Sequence, residues 1–174
     1  MAFRPAVAAG TSALMPCHGT PVGLELGGVA VEEVGLGYHR QILTGLLREQ
    51  LGYDGVICTD WGVVTGTVVA GRPLPARAWG VEHLGELDRL VKIVHAGADQ
   101  LGGEARTDLL LQAVEQGRVP LERLDASVRR LLLVKLQLGL FDDPFVDEDA
   151  AAEVLGRADL RSPVAVPKQS RWCC

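Results

Sequence analysis

Residues 46–62, Leu46-Leu-Arg-Glu-Gln-Leu-Gly-Tyr-Asp-Gly-Val-Ile-Cys-Thr-Asp-Trp-Gly62, pass from a helical pattern to a strand pattern within seventeen positions. Upstream, Ile42, Leu43, Leu46, Leu47 and Leu51 recur at helical spacing from Tyr38 onward, and Gly52 supplies the C-terminal stop. Gly55-Val-Ile-Cys-Thr59 is a short β-favouring run that ends at Asp60-Trp61-Gly62. The transition predicts a helix returning through a tight turn to a buried strand, with a carboxylate just beyond the strand's end.

The same order extends in both directions. Ser12 to Pro16 is a short apolar run with a proline stop, and residues 17–37, with seven Gly or Pro, read as a long loop or a small β-ribbon. Residues 62–80 form a second long loop. Glu82 to Ala96 carries Leu84, Leu87, Leu90, Val91 and Val94 on one stripe and stops at Gly97. Ala98 to Leu101 is a very short strand followed by Gly102-Gly103. Ala105 to Gln116 is helical and stops at Gly117. Pro120 opens a last helix, with Leu124, Val128, Leu131, Leu132 and Leu136 expected on the core side and Gly139 at its end.

Strand, loop and helix therefore alternate three times, an order that predicts parallel strands with crossover helices. Long loops follow the strands and short ones return to them. Ligands gather at such C-terminal strand ends in α/β folds, so residues 15–20, 59–65 and 99–104 are one expected active face. Three parallel strands close no barrel, since a (β/α)8 barrel takes eight strands. The fold class expected is α/β, part of a larger TIM-type barrel.

Composition narrows the function. The chain has 174 residues, with 17 Lys and Arg against 22 Asp and Glu, a net charge of −5. This acidic balance lacks the basic footprint of a nucleic-acid binder. No apolar run reaches the ~18 residues of a membrane span. The start MAFRPAVAAG lacks a secretion-signal pattern, so a cytoplasmic location is expected. Four cysteines, without CxxC or paired-His spacing, read as buried or incidental thiols; no metal and no cofactor is expected.

Residues 46–62 resemble glycoside hydrolase family 3, the β-glucosidase and β-xylosidase type, whose pattern is LR-x-x-L-G-[FY]-x-G, a strand, then [ST]-D-W. Residues 109–147, LLLQAVEQGRVPLERLDASVRRLLLVKLQLGLFDDPFVD, resemble that family's last barrel helix and its exit, LD-x-[AS]-V-x-R-[IL]-L-x-x-K-x-x-x-G-L-F. Residues 77–84 and 97–104 are similar to a bacterial subgroup, and the resemblance covers roughly residues 3–160.

The resemblance implies the C-terminal third of a (β/α)8 barrel, its strands six to eight, over residues 1–147. Residues 148–174 would be a linker toward a missing second domain. It makes Asp60 the catalytic nucleophile of a retaining hydrolase of β-glucosides or related β-glycosides. Trp61 would be an apolar wall for the sugar ring. Read without the flanking blocks, Asp60-Trp61-Gly62 is as well an Asx-type turn with Trp filling a hole. His18, where the family usually has an aromatic such as Tyr, would bind substrate, donate to Asp60, or cap a loop. Asp99 and Glu104 would line the pocket or act structurally. His39, His83 and His95 fit surface or satisfied-core roles.

Retaining hydrolysis needs a second carboxyl about 5 Å from the nucleophile. The family takes that acid/base from a distant segment, so it is expected outside this chain. The family's sugar-gripping Arg, Lys-His pair and Asp of earlier strands are absent here. Met1-Ala-Phe-Arg matches the interior of the family pattern. At the other end, Lys168 to Cys174 replaces a segment like S-V-V-L-L-K-N, as a one-base frameshift in GC-rich codons would. A truncated remnant, marginal and inactive alone, is therefore expected. Two rivals stay open: a non-catalytic partner chain completing a split barrel, and an unrelated barrel enzyme holding phosphate at Gly102-Gly103.

Overall fold

The computed structural model describes residues 4–161; Met1 to Phe3 and residues 162–174, including the tail from Lys168 and the Cys173-Cys174 pair, lie outside the described residues. The strands are β1 (Ala13–Leu14), β2 (Glu25–Leu26), β3 (Val29–Ala30), β4 (Val56–Ile57), β5 (Thr67–Val69) and β6 (Arg72–Leu74). Helices span Arg4–Ala8, Gln41–Gln50, Glu86–Ala96, Thr107–Glu115, Leu121–Gln137, Glu148–Val154 and Ala158–Arg161. Two compact units divide the chain, residues 1–134 and residues 135–174.

Parallel pairing organises the first unit. β1 pairs with β4 in the register Ala13↔Val56 and Leu14↔Ile57. Cys58 bridges in parallel to Gln100, and the Thr59 N–H donates to the Gln100 carbonyl at 2.9 Å. The three expected segments thus lie side by side in chain order. The third is shorter than expected, a single bridge rather than a strand. The described residues form small sheets and no closed barrel. Ile57 is fully buried, as a parallel strand covered on both faces requires.

The two loops hold more regular structure than glycine content suggested. Residues 17–37 contain the antiparallel ribbon β2–β3, one of the two expected readings. Residues 62–80, expected as plain loop, contain the hairpin β5–β6, with Ala70 and Gly71 both at positive φ in its two-residue turn.

The helix expected from Tyr38 divides into a 3-10 turn, Leu36–Tyr38, and the Gln41–Gln50 helix, which winds in the wider π form. Helix Glu86–Ala96 buries Leu90, Ile93 and Val94 on one stripe, each worth roughly 1.5–3 kcal/mol. Gly97 ends it at φ +116°, where a Cβ would lie 2.8 Å from Thr44 Oγ1. Glycine is required there by both conformation and space.

Helix Leu121–Gln137 corrects one expectation. Leu124 packs against the core, but Val128, Leu132 and Leu136 are exposed. The inward face is instead Arg123, Ser127 and Arg130, at helical spacing, whose side chains reach Asp99. A polar anchor has decided which side of this helix faces in. No helix among the described residues is long and apolar enough to cross a membrane. In the second unit, Asp147 caps helix Glu148–Val154 by accepting from the Asp149 and Ala150 N–H groups.

Candidate active site

β4 runs on through Cys58 and fully buried Thr59 to Asp60, while β1 runs on through Pro16 and Cys17 to His18. The parallel register brings these two extensions together. His18 Nε2 lies 3.1 Å from Asp60 Oδ2, with both side chains about a quarter exposed at 23% and 28%. The other carboxylate oxygen, Oδ1, accepts the Trp61 N–H at 2.7 Å. Asp60 is thus turned toward the neighbouring strand's tip.

His18 Nδ1 is buried and has no partner. Nε2 is therefore the ring nitrogen that faces the Asp60 carboxylate. Burial lowers the His18 pKa; the Asp60 carboxylate pulls it up, and the Arg77 guanidinium lowers it further. Burial thus favours the neutral imidazole beside the Asp60 carboxylate.

Pro16, His18, Tyr38, Asp60, Val63 and Arg77 line a cavity of about 10 Å³, room for a single water. Tyr38 is buried, donates its hydroxyl to the Val63 carbonyl, and has its pKa raised by that burial. Arg77 Nη1 donates to the Trp61 carbonyl at 3.1 Å. These two residues join the site through tertiary contacts that no local motif announces.

Trp61 is 61% exposed beside Asp60. Glu104 Oε1 accepts the N–H groups of Val64 and Thr65 at 2.8 and 3.1 Å, and Oε2 accepts the Thr65 hydroxyl at 2.7 Å. It is a tie for the loop after Trp61, neither a helix cap nor part of the Asp60 cavity. Asp99 is fully buried and accepts from Arg48 at 2.6 Å, Ser127 at 2.8 Å and the Ile57 N–H at 2.9 Å. Asp99 thus bonds structurally, one of its two expected roles, and with Glu104 it also lines the cavity beside residues 98–101 rather than the one at Asp60.

Gly102-Gly103 does not cradle an anion. The Gly102 N–H is spent on Thr59 Oγ1 at 2.9 Å, and the following helix starts only at Thr107. His39 is fully buried, its Nδ1 accepting the Ile42 N–H at 3.3 Å at the start of the Gln41–Gln50 helix. His95 Nε2 meets the Arg118 carbonyl at 2.7 Å, and His83 is exposed. Cys17 is exposed, while burial, then the Asp60 charge, raises the Cys58 pKa and keeps that thiol protonated. Among the described residues no group of three or more His, Cys, Asp or Glu side chains is placed to hold a metal ion.

Two larger cavities flank the parallel segments. One of about 260 Å³ lies beside β1 and is lined by apolar side chains including Leu14, Ile42, Leu46 and Ile57. The other, about 300 Å³, lies beside residues 98–101 and includes Gln100, Leu101, Leu110 and Leu124.

Residues 1–134 match the family model described as "Glycosyl hydrolase family 3 N terminal domain". The chain is 49% identical over 154 residues to a protein of Aspergillus oryzae named probable beta-glucosidase C, covering 88% of this chain and 23% of that one. It is 41% identical over 166 residues to the periplasmic beta-glucosidase/beta-xylosidase of Dickeya chrysanthemi, covering 90% and 25%. The chain thus spans about a quarter of the length of these curated relatives. Its fold is similar to the solved beta-glucosidase from Listeria innocua in complex with gluconolactone, at a TM-score of 0.67 and 21% identity, over 92% of this chain and 20% of that one.

Proposed function

We propose that this chain, which belongs to glycosyl hydrolase family 3, supplies the nucleophile-bearing part of a retaining β-glucosidase-type hydrolase, with Asp60 as the nucleophile. The observation that carries the reading is the contact of Asp60 Oδ2 with His18 Nε2 across two adjacent strand tips. A carboxylate so placed is fixed at the strand tip, its Oδ1 accepting the Trp61 N–H, and stays within reach of a ligand above the strands.

Asp60 would attack the anomeric carbon of a β-linked glucoside as the aglycone oxygen leaves, forming a covalent glycosyl-enzyme that water then opens with retention. His18 would hold Asp60 through Nε2 and contact the sugar. Trp61 would offer the exposed face of its indole to the ring. A second carboxyl must protonate the leaving group. Asp60 is the sole carboxylate lining its cavity among the described residues, and Glu104 is tied to the loop. The acid/base is therefore assigned to residues beyond this stretch.

We place residues 1–147 as the closing third of a (β/α)8 barrel and residues 148–174 as a linker beyond it. Three parallel segments in chain order, each leading on to a helix, support this, as do the cavities beside both outer segments. Those cavities also favour a second reading, a chain that docks on a separately supplied remainder of the enzyme without adding catalytic groups.

The test is a graft. The 154-residue stretch of similarity replaces its counterpart in the Aspergillus oryzae relative, and hydrolysis of an aryl β-glucoside is measured with Asp60 intact or changed to Ala. We expect activity in the first and a loss on the order of 10⁴-fold or more in the second. A 2-deoxy-2-fluoroglucoside should leave a covalent mark on Asp60. Activity that persists in Asp60→Ala removes the assignment and leaves the docking reading.

A further inference from the structure

We propose that Thr59, Gly102 and Gly103 are positioning residues, forming a seat that fixes the Trp61 indole beside Asp60; its use as a sugar wall rests on the nucleophile reading above. An aromatic ring that is 61% exposed has little packing of its own to hold it. The main chain of Trp61 is nevertheless pinned at both ends. Its N–H donates to Asp60 Oδ1 at 2.7 Å, and its carbonyl accepts from Arg77 Nη1 at 3.1 Å. Only the side-chain torsions remain free.

Bare backbone settles those torsions. A Cβ on Gly103 would lie 2.5 Å from Trp61 Cε3 and 2.6 Å from Cδ2, and one on Gly102 would lie 3.2 Å from Cδ1. The indole therefore rests against the two glycines with no room for a side chain between them. Gly103 also sits at φ +63°, a conformation side chains disfavour.

Thr59 pegs this turn beneath the ring. Its buried hydroxyl accepts the Gly102 N–H at 2.9 Å, and its own N–H donates to the Gln100 carbonyl at 2.9 Å. A Cβ on Gly102 would fall 2.1 Å from the Thr59 carbonyl oxygen. Thr59, one residue before Asp60, thus ties the height of the seat to the strand that carries the carboxylate. The ring's open face is left for the apolar face of a pyranose.

The test uses the whole chain with Trp79→Phe and Trp172→Phe, so that Trp61 alone among the indoles fluoresces. In that background Gly103→Ala and Thr59→Val should raise the acrylamide quenching constant about twofold and speed the anisotropy decay, at unchanged far-UV circular dichroism. Thr59→Ser, which keeps the acceptor, should restore the parent values. Folded Gly103→Ala and Thr59→Val chains with parent-like Trp61 signals overturn the proposal. So does a freely rotating Trp61 in the background chain itself, a measurement that needs neither variant to fold. None of these readouts involves a glycoside, so they stand or fall apart from Asp60. In the graft, Thr59→Val should raise KM more than it lowers kcat; the reverse split removes the wall from substrate binding.

Discussion

His18 Nε2 and Asp60 Oδ2 stand 3.1 Å apart although 42 residues separate them in the chain, because β1 and β4 are parallel neighbours and both side chains lie just beyond the strand ends. His18 Nδ1 is buried and unpartnered, so Asp60 is the polar neighbour on the ring's other nitrogen.

Removing that imidazole should leave the Asp60 side chain less firmly placed. In the graft, His18→Phe is expected to lower kcat/KM about tenfold, the scale of one polar contact to a charged group. His18→Asn, which keeps a polar N–H group at this position, should recover part of the loss. Values of kcat/KM for the parent and the two variants decide it, and an unchanged His18→Phe removes His18 from the site's machinery.

At the starts of the strands a second carboxylate does structural work. Asp99 is fully buried and takes Arg48 at 2.6 Å, Arg130 at 3.2 Å, the Ser127 hydroxyl and the Ile57 N–H. Asp99→Ala leaves part-buried guanidinium groups without their carboxylate, and burial already lowers the Arg48 and Arg123 pKa values despite Asp99 nearby. The expected loss is about 3–5 kcal/mol, read as a shift in urea midpoint. A change within experimental scatter would refute the anchor.

Buried His39 makes stability depend on pH. Burial lowers its folded pKa below the usual 6.5, with the Glu32 carbonyl and charge pulling upward and Lys92 pushing down. The unfolded chain then binds the proton more readily, so the stabilisation is complete above about pH 6.5 and is lost as pH falls toward the lowered value. His18 adds the same sign. Urea midpoints measured from pH 8 to pH 5 should fall, with a slope no steeper than about 1.4 kcal/mol per pH unit for each histidine. The slope should flatten in His39→Asn.

The outer stripe of helix Leu121–Gln137 is exposed at Val128 and Leu132. Val128→Lys with Leu132→Glu should change the melting free energy by no more than about 0.5 kcal/mol each. Light scattering and dye binding by the isolated chain should drop. A large loss of stability would mean the stripe is covered.

Much of the local architecture was legible in residues 38–62 and 82–97. Leu90 and Val94 of the expected stripe are buried, Leu84, Leu87 and Val91 pack part-buried against the core, Ile93 joins them from outside the stripe, and Gly97 stops the helix. The third strand was overestimated, since only Gln100 bridges. On helix Leu121–Gln137 the apolar stripe outweighs Arg123, Ser127 and Arg130 in the pattern, so Val128, Leu132 and Leu136 are expected inside with Leu124 but lie exposed. Asp99, the partner of those three polar residues, is some thirty residues upstream, and no periodicity encodes a bond across that distance.

Asp60, His18 and Trp61 were visible as separate candidates, each from its own stretch of sequence. Local pattern alone set the four helices between residues 41 and 137, the parallel segments at β1 and β4 and the place of a carboxylate after β4, but not the β5–β6 hairpin, because spacing and turn chemistry act over a few residues. Only the folded chain decided that His18 rather than Glu104 faces Asp60 and that the Gly102-Gly103 backbone carries the Trp61 ring rather than a phosphate. Such choices depend on which side chains the parallel register sets opposite one another, and a register is a property of two distant strands together.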